Sequence, residues 1–320
     1  MKVTICVLVL GWCCCLWPQT LVPNCCPQNP TKEKQQALWK KLQDQIADID
    51  ADLDGSMGVA IRDLTSGETF LLHGDDIFPQ ASSIKIAVLA ELYDQEQRGR
   101  HGDSGVARLA DLYTVRIEDM VPDSAIMLGL TPGVTRVTNR DLATMMIAVS
   151  DNSASNVLID RVGMPNVERM LSGLGLKHTH LQRKMMDLEA ARQGRENVST
   201  PREMMTLLEV LYRNKLLDKE LTSDFFKMLA TPKDSSIPKL LPADVVIANK
   251  PGELEAVRND SGIVFVPNRP FVISVLTTYL RDERAGQQAI SDIALAAYQY
   301  FDRLGRSSEY GRAVPPSTHR

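Results

Sequence analysis

With 320 residues, 44% of them hydrophobic and 24% charged, the chain has the balance of a globular protein able to build one large core or two modest ones. A net charge of −4 leaves no electrostatic footprint for nucleic acid. All six cysteines, Cys6, Cys13, Cys14, Cys15, Cys25 and Cys26, fall in the first 26 residues, so the body has no disulfide and no thiol chemistry of its own.

Met1-Lys2 and the apolar run Val3 to Trp17 read as a secretory signal or an N-terminal anchor spanning residues 1–26. The run is short for a membrane span. No clear small-x-small cleavage site follows it, and no cysteine carries the Leu-x-small run that precedes a lipid-modified one. Pro23 to Pro30 reads as a linker.

From Thr31 the pattern turns helical, with Leu38, Leu42, Ile46, Ile49 and Leu53 on one stripe. Met57 to Leu64 and Thr69 to His73 read as a hairpin around Ser66-Gly67. A polar turn then ends at Phe78-Pro79-Gln80-Ala81-Ser82, and an apolar helix runs to about Arg98. Residues 99–230 carry helices and loops with little strand signal. One helix starts at Thr138-Asn139-Arg140-Asp141 and breaks at Ser150-Asp151-Asn152, and another carries Val157, Leu158 and Ile159. Gly173 to Asn197 is long, charged and irregular, ending at Ser199-Thr200-Pro201-Arg202-Glu203, a cap, a first-turn proline and a capping-box glutamate. Val245 to Lys250, Gly262 to Val266 and Pro270 to Leu280 read as strands, Arg284 to Leu304 as an amphipathic helix, and Ser307 onward as a frayed tail. Strands at both ends and helices in the middle predict a mixed α/β fold: an antiparallel sheet flanked by the terminal helices, with an inserted all-α lobe. The expected body is 31–304, its α/β lobe 31–98 and 231–304 and its all-α lobe 99–230, followed by a tail over 305–320.

Ser82 sits at a helix start with Lys85 one turn on, close enough for the amine to reach the hydroxyl. Lys85 lies in a nearly all-apolar helix, and burial makes an ammonium easier to deprotonate, which activates a neighbouring serine. Taken alone, Ser-x-x-Lys is more often a surface cap with a snorkelling lysine. The second copy, Ser236-Ile237-Pro238-Lys239, cannot share a helix face because Pro238 forbids a helix interior. Ser150-Asp151-Asn152 alone is a capping loop, and Lys250-Pro251-Gly252 alone is a turn after a strand. His178-Thr179-His180 lacks a metal-binding helical context, so no metal and no cofactor is expected.

The ordered set Ser82-x-x-Lys85, Ser150-Asp151-Asn152 and Lys250-Pro251-Gly252 resembles class A β-lactamases and penicillin-binding proteins. So do the flanks Phe78-Pro79-x-Ala81-Ser82, Ile147-Ala148-Val149 through Asp160, Leu241-Pro242-Ala243 and Arg258-Asn259-Asp260, so that the likeness covers roughly residues 35 to 304. It implies that Ser82 attacks a β-lactam or acyl-D-alanine carbonyl, Lys85 takes its proton, and Ser150 relays one to the leaving nitrogen. It also implies that Asn152 holds the substrate's amide, Lys250 and Gly252 line the substrate site, and the N–H groups of Ser82 and Glu253 form the oxyanion hole.

Two features depart from that family. Pro251 stands where a hydroxyl residue is usual, leaving Lys250, with Arg258 as a candidate helper, to anchor a substrate carboxylate. No Glu-x-x-x-Asn spacing occurs between Arg183 and Asn197. Asp187 and Glu189 are the nearest carboxylates, and each is either a shifted deacylation base or a loop salt-bridge residue. The expectation is an exported monomer, periplasmic, secreted or tethered at its N-terminus, that hydrolyses β-lactams. The alternatives are a D-Ala-D-Ala carboxypeptidase, esterase or slowly deacylating penicillin-binding protein, and a cell-wall binding protein without the chemistry.

Overall fold

The computed structural model describes residues 30–308 and 310–313. The expected leader or anchor over residues 1–26 lies outside them, as do all six cysteines. Of the expected linker only Pro30 is described, and it opens helix α1 (Pro30–Asp52), a position where its missing N–H costs nothing.

A five-stranded antiparallel sheet in the order β2-β1-β9-β8-β7 comes from both ends of the chain: β1 (Ser56–Asp63), β2 (Thr69–Leu72), β7 (Val246–Leu254), β8 (Val257–Phe265) and β9 (Phe271–Thr278). Asp63 closes the first hairpin by accepting from the N–H groups of Thr65 and Ser66, and Gly67 supplies φ +80°. Helices α1 and α9 (Glu283–Gly305) cover one face. The α1 stripe is realised there: Leu42 and Ile46 are buried, and Trp39 lies 5.1 Å from the Tyr300 ring. Helix α7 (Pro201–Tyr212) packs on the other face against β1, β8 and β9.

Around α2 (Lys85–Arg100), which is buried along most of its length, gather α3 (Asn139–Ala148), α4 (Asn152–Val162), α5 (Met164–Gly173) and α8 (Lys219–Leu229). Residues 99–230 also hold the short helix α6 (Leu188–Arg192), the short strands β4 (Leu112–Thr114) and β5 (Arg136–Thr138), which pair with each other, and β6 (Val198–Ser199), which pairs with β3 (Phe78–Pro79).

Local details differ from expectation. Strands β7 and β8 run much further than the apolar pattern, because Asn259, Asp260 and Ser261 are buried with partners: Asn249 for Asp260, Ser274 for Ser261, and the Pro79 carbonyl for Asn259. Thr200 caps α7 as expected, but Glu203 does not complete a capping box. Its carboxylate accepts instead from the His178 N–H and the Thr179 hydroxyl. The segment after Ser307 is ordered at its start, with Ser307 bridged to Ala313.

Candidate active site

Ser82 lies in a 3-10 turn (Ala81–Ile84) that leads directly into α2, so it is a first-turn residue and not a side-chain cap. Ala81 is held at φ +48°, a strained conformation for a residue with a Cβ. Three contacts fasten this turn: the Gln80 N–H donates to the Asn197 carbonyl at 2.7 Å, the Asn259 amide to the Pro79 carbonyl at 2.8 Å, and the Ser83 hydroxyl to the Lys250 carbonyl at 3.2 Å. The last joins the first motif to the third.

Between α3 and α4, Ser150 takes φ +57°, again left-handed without glycine. Asp151, fully buried, makes the turn affordable. Its carboxylate accepts from the N–H groups of Ile126, Met127 and Ala154, each at 2.9 Å, capping α4 and pinning the neighbouring loop together. The middle residue of this motif is therefore structural, and it aims its two neighbours at the cleft.

Edge strand β7 carries Lys250, Pro251, Gly252 and Glu253 past the Ser82 turn. A Cβ on Gly252 would sit 2.6 Å from the Gln80 carbonyl oxygen and 2.8 Å from Ser83 Oγ, so only glycine allows the strand this close. The pairing of β7 with β8 runs unbroken through Pro251, which faces Asp260 across the ladder.

The lysine amines meet at Ser150. Lys85 Nζ donates to Ser150 O at 2.6 Å, Ser150 Oγ at 3.1 Å and Asn152 Oδ1 at 2.9 Å, while Lys250 Nζ donates to Ser150 Oγ at 3.1 Å and Pro251 O at 3.1 Å. Two ammonium donors occupy both lone pairs of the Ser150 hydroxyl, leaving its own hydrogen free for a third partner. The three protons of Lys85 are all engaged and none goes to Ser82 Oγ, contrary to the simple Ser82–Lys85 pair the spacing suggests. A neutral Lys85 amine would keep two of those bonds and free a lone pair.

Burial favours that neutral form. It holds the Lys85 ammonium well below its usual range, the Lys250 charge pushes the same way, and Asp151 opposes them. Burial likewise brings Lys250 down to about 7, reinforced by Lys233 and opposed by Asp260 and Glu253. Asp260 is raised by burial to about 6. Ser82, Ser150, Asn152, Lys250, Pro251 and Glu253 line one open cleft of about 530 Å³, together with Asp123, Ala148, Val149 and Asp234.

A family model described as the beta-lactamase enzyme family matches residues 41–301. The chain belongs to that family. A beta-lactamase of Streptomyces lavendulae is 31% identical over 263 residues, covering 79% of this chain and 82% of its own. Beta-lactamase SME-1 of Serratia marcescens is 27% identical over 81% of this chain and 88% of its own. Among solved structures, the beta-lactamase of Sphaerobacter thermophilus superposes with a TM-score of 0.73 at 31% identity, over 82% of this chain and 97% of that one. The protein called PBP-A superposes equally, TM-score 0.73 at 25% identity, over 82% and 96%.

Within this beta-lactamase family member, other expected residues lie elsewhere. Asp187 caps α6 through the Ala190 N–H, and Glu189 is exposed and bonded to Gln193 and Arg192; neither lines the cleft. Met185 instead is the residue the loop presses against α4, its backbone bonded in both directions to the Asn156 amide. Arg258 is no helper of Lys250. Its guanidinium is taken by Glu283 and the Leu254 and Val257 carbonyls. Ser236 precedes, and Lys239 lies within, a 3-10 turn (Ile237–Leu240) that also contains Pro238, and His180 bonds Glu168. Sequence reasoning missed the cleft residues Asp123 and Asp234. They sit in polar loops with no motif, and only the φ of +55° at Asp123 marks its position as special.

Proposed function

We propose that this is a serine hydrolase that opens β-lactam rings through an acyl-enzyme on Ser82. Lys85, as the neutral amine, takes the Ser82 proton as the Oγ–carbonyl bond forms, and the Ser150 hydrogen passes to the ring nitrogen as the C–N bond breaks. The N–H groups of Ser82 and Glu253 receive the oxyanion, Asn152 the side-chain amide, and Lys250 the substrate carboxylate beside Gly252. The observation that carries this reading is the Ser150 hydroxyl held at 3.1 Å by both lysine amines in the cleft that Ser82 lines. The family membership and the named beta-lactamase relatives support it.

A second reading, a penicillin-binding enzyme that acylates and deacylates slowly, is favoured by one observation: no carboxylate of the Arg183–Asn197 loop lines the cleft. Stopped-flow with a chromogenic cephalosporin separates the two. A burst with sustained turnover supports hydrolysis, a stoichiometric burst alone supports slow deacylation, and no burst refutes both. In either case the protein is exported, with residues 1–26 as leader or tether. In this reading it works as a monomer. Among the described residues no helix is long and apolar enough to cross a membrane.

A further inference from the structure

We propose that Lys233 is a positioning residue for acylation: its ammonium competes with that of Lys250 for the one buried carboxylate behind β7, Asp260, and so acts through Lys250 on the Ser150 hydroxyl. The inference rests on the acyl-enzyme reading above and adds to it a residue outside the cleft.

Asp260 lies on β8 opposite Pro251 of β7 and is fully buried. Its oxygens accept from the Ser236 and Ile237 N–H groups at 3.1 and 3.0 Å, and from the Asn249 amide at 2.8 and 3.0 Å. These donors are all neutral, so the charge of a buried carboxylate must be offset from further away. Among the described residues two cations do so: Lys250, which stands between Asn249 and Pro251 on β7, and Lys233.

Lys233 belongs to the connection between α8 and β7, the same segment that wraps Asp260 through Ser236 and Ile237. Its Nζ donates at 2.7 Å to the carbonyl of Leu229, the last residue of α8, its one bond among the described residues. Its neighbour Asp234 lines the cleft, whereas Lys233 does not. A helix C-terminus steadies an ammonium, and taken alone Lys233 is a cap. A cap does not account for its company. One carboxylate offsets one of two ammoniums, and burial works against the other, so the three groups titrate together. Burial brings Lys233 down to about 8 and Lys250, which also feels the Lys233 charge, to about 7, while Asp260 opposes both changes. Lys250 is thus the member that gives up its proton first. The other charges around it are Lys85, which shares Ser150 Oγ, Asp151 near Lys85, Glu253 further along β7, and Asp123 and Asp234 on the cleft wall.

The test follows the second-order acylation rate constant for benzylpenicillin from about pH 5.5 to about pH 9. In the wild type the rate falls with a midpoint near 7, where Lys250 loses its charge. Lys233→Met raises that midpoint by about one pH unit, because Lys250 then has Asp260 to itself. Lys233→Arg, still charged, does not raise it. Asp260→Asn lowers it by about one unit, and the double variant with Lys233→Met returns it toward the wild type. A helix cap alone would change stability in urea and move no midpoint. The rate on the acid side of the profile reports an intact site in each variant. If Asp260→Asn does not fold, the contrast between Met and Arg at 233 decides, and Lys233→Gln replaces Lys233→Met should that variant fail. A midpoint unchanged or lowered in Lys233→Met, the same midpoint for Met and Arg, a midpoint raised in Asp260→Asn, or a wild type without an alkaline limb overturns this inference while leaving the acyl-enzyme intact. No acylation of the wild type at any pH overturns the acyl-enzyme reading and this inference with it.

Discussion

The Ser150-Asp151-Asn152 turn and the Arg183–Asn197 loop both pack against α4, yet they are built for different ends. The turn holds a strained serine whose hydroxyl two buried lysines address, and a buried aspartate braces it with three backbone bonds. The loop's carboxylates and its asparagine are used within the loop or beside it, Glu196 by Arg183, Asp187 by its own helix cap, Glu189 by Gln193, and Asn197 by the Gln182 and Arg183 N–H groups, while Lys184 and Met185 tie it to α4. Strain and desolvation concentrate where proton transfer is needed, while the loop reads as scaffold. The contrast teaches that acylation and release of the acyl group are separable, and that the fold invests far more in the first.

Removing a proton acceptor from the turn's side of the comparison has the largest effect. Lys85→Met lowers the acylation rate constant by about 10²- to 10⁴-fold, measured by stopped-flow with a penicillin, and a loss under threefold would break the comparison. Next, Asp151→Ala strips three N–H groups, two of them buried, of their acceptor. It costs about 3 kcal/mol in urea denaturation, with acylation lost alongside.

The pH profile comes third. Lys250 falls to about 7 through burial, so its charge is present below that value and lost above it. The second-order acylation constant for an anionic β-lactam therefore drops about fivefold from about pH 7 to about pH 8, whereas Lys250→Arg, always charged, flattens that limb. The smallest effect belongs to the loop. Asp187→Asn and Glu189→Gln leave the acyl-enzyme lifetime within about twofold of wild type by mass spectrometry. A lifetime lengthened tenfold by either would restore a base to the loop.

Most elements were legible because their periodicity reports burial directly: the α1 stripe, the first hairpin, α9 and the apolar stretch of β9. The three motifs were legible only as an ordered set with matching flanks, since each alone has an ordinary local explanation: a helix cap, a capping loop, and a turn after a strand. What the pattern concealed is polar structure satisfied from a distance. The first half of β8 looks like a loop until Asn249 and Ser274 supply partners for Asp260 and Ser261. Arg258 looks free until Glu283, 25 residues on, claims it. Asp123 and Asp234 reach the cleft only through tertiary placement, which no local spacing encodes.

The most direct test of the central claim is intact mass spectrometry of the protein followed over time after exposure to benzylpenicillin, with peptide mapping. The account predicts one adduct of the full penicillin mass, because ring opening expels no leaving group, located on the Ser82 peptide and absent from Ser82→Ala. No adduct at any time point with the benzylpenicillin left intact, or an adduct that persists in Ser82→Ala, would contradict it.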